Sequence, residues 1–555
     1  MSLSYPVSRR HHLEVMAGAA VFAALGGAGA FSVPAAAATA DPRWISGVDL
    51  GMLLEVEEKG GRFSTSASSS RDAVKILADA GANLTRLRLW VDPYTAQGEP
   101  YGGGTNDLTR TIRLAKRAVA QGMSILLDFH LSDWWADPGT QTKPKAWRNL
   151  SGEALRRQVR SYTKAVITQM KAAGVRPSMV QMGNEISSGI LWDDGRVGAG
   201  HDDFSGLAGL LKAGFQGVED ALSPGEKIER VLHLDMGGDN ALYRWWFDGV
   251  IAQGVSFDII GLSYYPFWHR SMGELKWNLN DLVRRYGKDV LIVETAYGWT
   301  LEDGDGITDS FYRKEEAEGG YPATVAGQSA YLRDLRDLIA GVPGGHGRGY
   351  IWWEPAWLPV GDAYWGSEAG ARDNNDTGVR GNPWDNQTLF DFSGRALDTQ
   401  KVLSEPVAKN LVRNGSFEDD GYTSSPSGWG VWSPESRDDN AAFVSDSAVH
   451  GGYKLTHWKA DDYVVSTYQL LGSLARGRYR VEAWVLNSGG QKQAYMYVKR
   501  HGAQEVQVAL PVSAGIWKHV EVEVDVTSGN VEIGFYSDAV GGSWINIDDV
   551  RVTRR

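Results

Sequence analysis

The chain has 555 residues, enough for roughly three or four domains, and its 43% hydrophobic and 22% charged residues are typical of a folded protein. The 68 acidic and 56 basic residues give a net charge of −12, which disfavours nucleic acid as a partner. The absence of cysteine excludes disulfide bonds, thiolate metal sites and a cysteine nucleophile.

Residues 1–40 have the pattern of an export signal. Arg9 and Arg10 form a twin arginine, an apolar run rich in alanine and glycine covers residues 15–33, and residues 38–40 offer a small-residue cleavage site. The pattern resembles a twin-arginine signal, although His12 stands where phenylalanine is usual. We expect a secreted protein with no membrane attachment after cleavage, and an uncleaved membrane anchor is the alternative.

Residues 41–403 alternate short apolar strands with amphipathic helices. The predicted strands cover residues 45–52, 84–90, 123–130, 178–183, 228–236, 257–264, 290–295 and 349–354. Helical spacing of apolar residues predicts helices over 71–80, 108–120, 153–172, 204–221 and 328–339. Because the strands are apolar on both faces, the pattern predicts an α/β fold of the (β/α)8 type, a TIM barrel. A doubly wound sheet is the alternative, but no glycine-rich phosphate loop follows an early strand.

Polar and aromatic side chains concentrate where these strands end. Carboxylate, amide, histidine and aromatic residues occur over 90–92, 129–135, 183–185, 264–266, 294–297 and 352–354. The carboxyl ends of barrel strands form one rim, on which active sites lie. The 22 tryptophans suit stacking on sugar rings, with a tryptophan-rich core as the alternative. The sequence therefore predicts an active site on this rim.

A different pattern begins after residue 403. Residues 404–412 look like a linker, and residues 413–555 contain short runs of period-two alternation separated by turn residues. Because no convincing helical pattern remains, we predict an all-β sandwich of the jelly-roll type for this region.

Two glutamates on the predicted rim form a natural pair. Glu185 follows Asn184 at the end of the fourth predicted strand, and Glu294 lies at the end of the seventh. Hydrolysis of a glycosidic bond needs one carboxylic acid to protonate the leaving oxygen and a second carboxylate to act at the anomeric carbon. The charge of one carboxylate raises the pKa of the other, which separates their roles. A surface ion pair is the alternative for Glu185 taken alone, whereas the pair favours a glycosidase.

Several motifs resemble those of glycoside hydrolase family 53, the endo-β-1,4-galactanases of clan A. The similar stretches cover residues 47–50, 86–91, 128–138, 181–185, 263–268, 294–297, 352–357 and 384–391. The resemblance implies that Glu185 is the general acid/base and Glu294 the nucleophile, with retention of anomeric configuration and carboxyl groups ~5–5.5 Å apart. It also implies that Asn184 contacts the sugar 2-hydroxyl and that Arg88 and Tyr265 hydrogen-bond Glu294. The residues implied to line the sugar cleft are His130, Asp133, Trp135, Asp137 and Trp353.

An acidic turn after the seventh strand suits calcium. Asp303, Asp305 and Asp309 space hard oxygen ligands along a turn-forming loop, although a solvated acidic turn is the alternative. The resemblance implies a structural Ca²⁺ here with a later loop contributing Asp385, and Asn382 is a further candidate.

The C-terminal region resembles carbohydrate-binding modules of family 61, on the stretches 411–418 and 545–550. That resemblance implies binding of β-1,4-galactan and a second structural Ca²⁺, held by Glu418 and Asp548. The candidate sugar platforms are Trp429, Trp432, Trp458, Tyr495 and Trp544, each of which could instead belong to the core.

The sequence thus predicts a secreted, monomeric endo-β-1,4-galactanase acting on the type I arabinogalactan of pectin. A mannanase or cellulase of the same clan is one alternative, and a non-catalytic polysaccharide-binding protein is another.

Overall fold

The computed structural model describes residues 43–65, 69–376, 381–407, 410–446, 453–513, 515 and 517–554. All of these residues belong to one structural unit. The predicted export signal over residues 1–40 lies outside the described residues. Among the residues that are described, no helix has the length and apolar character that a bilayer span requires.

Eight parallel strands close into a barrel, as the sequence predicts. They are β1 (Ile45–Asp49), β2 (Leu84–Leu89), β3 (Ser124–Phe129), β4 (Met179–Met182), β5 (Glu229–Leu234), β6 (Ile259–Ser263), β7 (Asp289–Thr295) and β8 (Gly347–Trp352). Each strand pairs with its neighbours in sequence, and β1 pairs with β8. The strands are buried on both faces, which explains their continuous apolar character.

The barrel interior contains its own apolar layer. Leu84 of β2 and Leu291 and Val293 of β7 belong to this layer, whereas the intervening Ile292 packs with the surrounding helices. Side chains two residues apart on a strand share a face. Arg86 and Arg88 therefore follow Leu84 into the barrel interior, toward the carboxyl ends of the strands.

The helices surround the barrel and begin at side chains that satisfy free backbone N–H groups. Asp72, Asp107 and Thr324 each cap the first turn of a helix, and Ser271 forms a capping box with Glu274. The described helices are α1 (Leu53–Glu58), α2 (Ala73–Asp79), α3 (Leu108–Ala120), α4 (Gly152–Ala172), α5 (Ser205–Glu219), α6 (Asn240–Ala252), α7 (Met272–Tyr286), α8 (Arg313–Gly319), α9 (Val325–Ala340) and α10 (Glu368–Asn374).

The C-terminal region consists of two five-stranded sheets whose neighbouring strands are antiparallel, which confirms the all-β prediction. The strands are β9 (Gly430–Trp432), β10 (Ala442–Asp446), β11 (Tyr453–Trp458), β12 (Tyr463–Leu471), β13 (Gly477–Asn487), β14 (Gln491–Lys499), β15 (Val506–Ala509), β16 (Lys518–Val526), β17 (Val531–Ala539) and β18 (Trp544–Arg554). One sheet has the order β9-β12-β17-β14-β15 and the other β10-β11-β18-β13-β16. Alternate residues such as Val481, Ile533 and Ile547 form the core between the sheets.

The sheet that contains β18 packs on the barrel through α7 and α9. Lys276 of α7 forms an ion pair with Asp549, and Arg551 lies 3.3 Å from Asp337 of α9. The described part of the predicted linker contacts both regions: Glu405 binds Arg333 of α9 at 2.6 Å, and the Leu411 N–H donates to the sandwich strand β18. The sandwich is therefore fixed on the side of the barrel.

Candidate active site

A cleft of about 550 Å³ opens at the carboxyl ends of the barrel strands. Its lining combines carboxylates with aromatic rings, as a site for a neutral carbohydrate requires. Of the predicted site residues, the structure brings together in this cleft Arg88, His130, Trp135, Asp137, Asn184, Glu185, Tyr265, Glu294 and Trp353.

Glu185 reaches the cleft through an unusual backbone at the end of β4. Gly183 has φ of 86° and Glu185 has φ of 45°, both in the left-handed region, so the chain turns sharply after the strand. The hydroxyl of Ser263 donates to Glu185 Oε1 at 2.6 Å. Burial, followed by the charge of Glu294, raises the pKa of Glu185 well above its ordinary value. Glu185 is thereby suited to hold a proton near neutral pH.

Glu294 is surrounded by hydrogen-bond donors. Arg86 Nη1 lies 2.8 Å from Glu294 Oε1, and the Tyr265 hydroxyl donates to Oε2 at 3.2 Å. Burial raises the pKa of Glu294 to about 7, and Arg86 opposes that rise. Since both donors favour the ionised form, Glu294 is suited to act as the carboxylate of the pair.

A β-bulge directs Glu294 into the cleft. Along β6 and β7, Leu262 pairs with Ile292 but the next residue, Ser263, pairs with Glu294. Val293 is therefore an extra residue, which packs in the interior apolar layer. Strict alternation after Val293 would send Glu294 toward the helices, and the bulge allows both side chains to face inward.

The expected contact between Arg88 and Glu294 is wrong, because Arg86 makes it instead. Arg88 Nη1 binds Glu354 at 2.9 Å, and its guanidinium lies 4.2 Å from the ring centre of Trp135. Both arginines point into the barrel, but only the deeper Arg86 reaches β7, while Arg88 is held at the rim on the β8 side. The spacing in the sequence predicts that Arg86 and Arg88 share one face of β2. It does not predict which residue each guanidinium contacts.

Arg86 connects Glu294 and Asn184 to the floor of the cleft. It binds Asp49 at 2.7 Å and Asp128 at 2.8 Å, and it donates to Asn184 Oδ1 at 2.6 Å. The other end of the Asn184 amide donates to the carbonyl of Ala136 at 2.8 Å. The orientation of Asn184 next to Glu185 is thus fixed by the same arginine that contacts Glu294.

Aromatic rings form the walls of the cleft. Trp135 and Trp365 stack with ring centres 4.1 Å apart, and Trp353 meets Trp384 edge to face at 4.6 Å. Trp268 also lines the cleft and is 41% exposed, so its ring is available to a ligand. This arrangement suits contact with the apolar faces of sugar rings.

Asp133 was expected to line the cleft, and the structure places it elsewhere. Its carboxylate accepts from the backbone N–H groups of Asp92 and Lys145, at 2.9 and 2.8 Å. The side chain therefore joins two loops behind the cleft wall. The sequence predicts that Asp133 lies on the polar rim, but it does not predict that the carboxylate turns toward backbone N–H groups.

Several site residues were not identified from the sequence. Ser263 and Arg86 lie inside motifs that were recognised, but no role followed from them. His233 belongs to β5 and Asp235 follows that strand, whose end is absent from the predicted polar rim. Further members of the cleft lining that sequence reasoning missed are Trp268, His269, Ser310, Trp365, Asp376 and Trp384.

The acidic turn after β7 gathers the predicted calcium ligands. Carboxylate oxygens of Asp303, Asp305 and Asp385 lie within 4.8 Å of one another. Both oxygens of Asp309 are buried without a hydrogen-bond partner in the described residues, and burial with three neighbouring carboxylates raises its pKa to about 9. Buried oxygens that lack donors are suited to a hard cation, so this set fits Ca²⁺. The Asn382 side chain instead donates to the Trp357 carbonyl and accepts from the Trp384 N–H.

The predicted sandwich ligands also lie near each other. Burial raises the pKa of Asp548 well above its ordinary value, and the charge of Glu418 acts in the same direction. Glu418 Oε1 accepts from the Tyr453 N–H at 2.9 Å. The two carboxylates, from opposite ends of the sandwich sequence, thus act on each other electrostatically, and their joint binding of a cation stays a prediction.

A second groove, of about 340 Å³, lies on the outer face of the sheet β9-β12-β17-β14-β15. Trp432, which is 50% exposed, lines it together with Tyr495 and Tyr536, whose rings stack at 4.9 Å. Trp429 belongs to the core, where it packs on Phe417. Trp458 and Trp544 pair across β11 and β18, in the other sheet.

Known proteins are similar to the barrel region. The profile of Glycosyl hydrolase family 53 matches residues 45–403. An endo-beta-1,4-galactanase of Bacillus subtilis (strain 168) is 36% identical over 378 residues, which cover 65% of this chain and 85% of that protein.

Two solved structures extend this similarity. The GH53 catalytic domain of Ignisphaera aggregans shares 41% identity and a TM-score of 0.61, over 65% of this chain and 96% of that one. A structure described under two fungal beta-1,4-galactanases shares 29% identity and a TM-score of 0.53, over 65% of this chain and 98% of that one. The two glutamates, the barrel that positions them and the match over residues 45–403 lead to one conclusion: the chain belongs to glycosyl hydrolase family 53.

Proposed function

We propose that this protein is a secreted, retaining endo-β-1,4-galactanase that hydrolyses the β-1,4-galactosidic bonds of type I arabinogalactan in pectin. The observation that carries the proposal is the pair Glu185 and Glu294 in one aromatic cleft. Arg86 and Tyr265 donate hydrogen bonds to the Glu294 carboxylate, whereas among the described residues the Glu185 carboxyl group accepts from Ser263 alone. The choice of β-1,4-galactan as substrate is supported by the name of the Bacillus subtilis relative.

In the first step, Glu294 attacks the anomeric carbon as the bond to the leaving oxygen breaks. Glu185 gives its proton to that oxygen, so the leaving sugar departs as a neutral alcohol and a galactosyl ester forms on Glu294. Arg86 and Tyr265 keep Glu294 ionised until it attacks. Because Glu294 loses its negative charge when the ester forms, it no longer raises the pKa of Glu185. The pKa of Glu185 therefore falls, which favours release of its proton.

In the second step, ionised Glu185 takes a proton from water as the water oxygen attacks the anomeric carbon. The ester bond to Glu294 breaks, and both carboxyl groups return to their first protonation state. Two displacements on opposite faces give net retention of the β configuration.

The substrate is tested by reducing-sugar release from potato galactan, carboxymethylcellulose and mannan. We expect release from galactan. Activity confined to the other two polymers would favour a mannanase or cellulase, and binding without release from any of them would favour a polysaccharide-binding protein.

The mechanism is tested with Glu294→Gln and by proton NMR of the first product. The variant should lose turnover by several orders of magnitude while retaining galactan binding, because only the attacking carboxylate is removed. The first product should be the β-anomer, and an initial α-product would reject retention.

We also propose that the sandwich binds β-1,4-galactan in the groove that contains Trp432, Tyr495 and Tyr536. A second attachment point raises the local concentration of the catalytic cleft at the polymer. Trp432→Ala should weaken retention on insoluble galactan roughly tenfold. Trp458→Ala is the matched control, because Trp458 is also exposed (43%) but lies on the other sheet.

Structural calcium completes the proposal. Asp303, Asp305, Asp309 and Asp385 would hold one ion in the barrel loops, and Glu418 with Asp548 would hold a second in the sandwich. Bound Ca²⁺ would neutralise these carboxylates and fix the loops that carry them.

Export is proposed from the leader pattern in residues 1–40. Replacement of Arg9 and Arg10 by lysine should retain the enzyme inside the cell, and sequencing the amino terminus of the secreted protein should locate the cleavage site.

We also propose that the protein is a monomer. Sedimentation should then show a single species at the mass of one chain.

A further inference from the structure

His233 lies in a chain of hydrogen bonds beside Glu185. The donors and acceptors in that chain determine which nitrogen of the His233 ring carries the proton. Its side chain is fully buried at the end of β5. Nδ1 lies 3.3 Å from the backbone N of Glu185 and 3.0 Å from Gln181 Nε2, and Nε2 lies 2.8 Å from Ser263 Oγ. Ser263 Oγ in turn lies 2.6 Å from Glu185 Oε1.

Arg86 sets the direction of the hydrogen bonds in this chain. Its Nε–H can only donate, and it lies 3.2 Å from Gln181 Oε1, which fixes that end of the amide as the oxygen. The other end, the Gln181 NH₂ group, gives one hydrogen to Asp128 Oδ1 at 2.7 Å and turns the second toward His233 Nδ1 at 3.0 Å and the Gly183 carbonyl at 3.1 Å. The backbone N–H of Glu185 also only donates, so Nδ1 accepts from both groups and carries no proton.

A neutral His233 must then carry its proton on Nε2. Burial, together with the charge of Arg86, holds the pKa of His233 well below its ordinary range, so the ring is neutral. The Nε2–H group donates to Ser263 Oγ, and the single hydrogen of that hydroxyl is left for Glu185 Oε1. The side-chain hydrogen bonds from Arg86 onward thus all run toward the Glu185 carboxyl group.

We propose that His233 and Ser263 are positioning residues that keep the catalytic proton of Glu185 on Oε2. A proton on Oε1 would meet the Ser263 hydroxyl hydrogen, whereas Oε2 makes no hydrogen bond to any residue that the structure describes. Oε2 is therefore the oxygen that gives the proton to the leaving group and later takes it from water. This assignment rests on the proposed function of Glu185 as acid/base.

The other charged groups around Glu185 do not supply this direction. The carboxylates of Glu294, Asp235 and Asp137 face it from β7, from the end of β5 and from the loop after β3, and each raises its pKa. Ser263 is the neighbour whose hydrogen bond lowers the pKa of Glu185. Loss of this hydroxyl should consequently raise the pKa of Glu185 and extend activity to higher pH.

Ser263→Ala tests the proposal in two independent measurements. The first is an infrared titration of the Glu185 carboxyl group in the wild type and in Ser263→Ala. For each of these two proteins, the spectrum of the same protein with Glu185→Gln added is subtracted, which isolates the Glu185 signal. The second is the basic limb of kcat/KM on galactan. Both should move up by about one pH unit, the effect of one hydrogen bond to an ionised group. Ser329→Ala is the control, because Ser329 is a buried serine of α9 remote from the cleft.

Two His233 variants test the direction of the chain. The longer side chain of His233→Gln can present an N–H to Ser263, so its profile should stay near that of the wild type. The shorter His233→Asn retains an acceptor for the Glu185 N–H but loses Ser263, so it should behave like Ser263→Ala.

An unchanged Glu185 titration in folded Ser263→Ala would overturn the proposal, as would equal shifts in the Gln and Asn variants. The infrared titration needs no substrate. It therefore tests the chain even if galactan proves not to be cleaved, and failure of the proposed function is distinguished from failure of this inference.

Discussion

Arg86 lies where the side chains of three acidic residues meet, and it is fully buried there. Its guanidinium binds Asp49, Asp128 and Glu294 within 2.8 Å and also orients Asn184 and Gln181. A planar group with five donors can serve this many partners, whereas an ammonium cannot. One residue therefore sets the ionisation of Glu294 and begins the hydrogen-bonded chain that ends at Glu185.

Arg86→Lys should lower kcat roughly 100-fold, the cost of losing one charged donor at a reacting centre. Arg86 lowers the pKa of Glu294, so its loss should raise that pKa and move the acidic limb of kcat/KM to higher pH. Arg88→Lys is the matched control, since Arg88 binds Glu354 and not Glu294. A pH profile of kcat/KM measures both effects, and equal acidic limbs in the two variants would contradict this assignment.

The loop after β4 is the element that places Asn184 and Glu185. It starts at Gly183, whose φ is 86°, and a Cβ added there would lie 2.5 Å from Ile186. Only glycine adopts this backbone without cost and leaves room for Ile186. The position of Glu185 therefore depends on a residue with no side chain.

Gly183→Ala should destabilise the protein and also misplace Glu185. The left-handed backbone alone costs about 1–2 kcal/mol for a residue with a Cβ. Gly174→Ala is the control, because its φ is 79° but nothing lies near an added Cβ. Thermal unfolding should show a loss in both variants, whereas kcat should fall only in Gly183→Ala. Normal turnover in Gly183→Ala would show that the loop tolerates the shift.

The acidic turn after β7 is a second element with a testable role. Ca²⁺ at 100 times its dissociation constant should add about 2.7 kcal/mol to the free energy of unfolding. Asp309→Asn should abolish the calcium-dependent rise in Tm, because both of its buried oxygens lack donors. Asp391→Asn is the control, since that carboxylate accepts from Ser393 and Arg395 in its own turn. A chelated wild type that melts at the same temperature with and without Ca²⁺ would rule out the site.

At the scale of the whole molecule, the sandwich uses its two outer faces differently. The sheet that contains Arg551 packs on α9, and the opposite sheet presents the groove of Trp432. The groove therefore points away from the barrel and does not extend the catalytic cleft. The polymer proposed for the groove and the polymer proposed for the cleft must therefore be separate segments or separate chains.

The junction between barrel and sandwich should weaken as pH rises. Burial and the charge of Glu482 raise the pKa of Asp334 in α9 to about 6 from 3.8. A raised pKa contributes stability that is complete below about 4 and is lost as pH rises through about 6. His519 of β16 acts in the same direction, because its ion pair with Glu482 raises its pKa.

Asp334→Asn should therefore raise Tm at pH 7 relative to the wild type and leave it nearly unchanged at pH 4. Differential scanning calorimetry at the two pH values measures the difference. The exposed Asp248 is the control: Arg285 lowers its pKa, so Asp248→Asn should act weakly and in the opposite sense. A larger gain from Asp334→Asn at pH 4 than at pH 7 would contradict the sign.

The sequence by itself determined the fold class and the meeting of Glu185 and Glu294 at one rim. Eight strands that are apolar on both faces and alternate with helices predict a barrel, in which the polar strand ends meet at one rim, so Glu185 and Glu294 could be paired without coordinates. Period-two alternation likewise identified the all-β region. These conclusions depend on local periodicity, which the sequence records directly.

Only the tertiary structure decided which side chains touch. It placed Arg86 rather than Arg88 on Glu294, turned Asp133 away from the cleft, and used a bulge at Val293 to bring Glu294 inside. It also joined His233 to Ser263 across neighbouring strands. Each outcome depends on register, side-chain reach and depth in the barrel, and these are set by packing between elements distant in sequence.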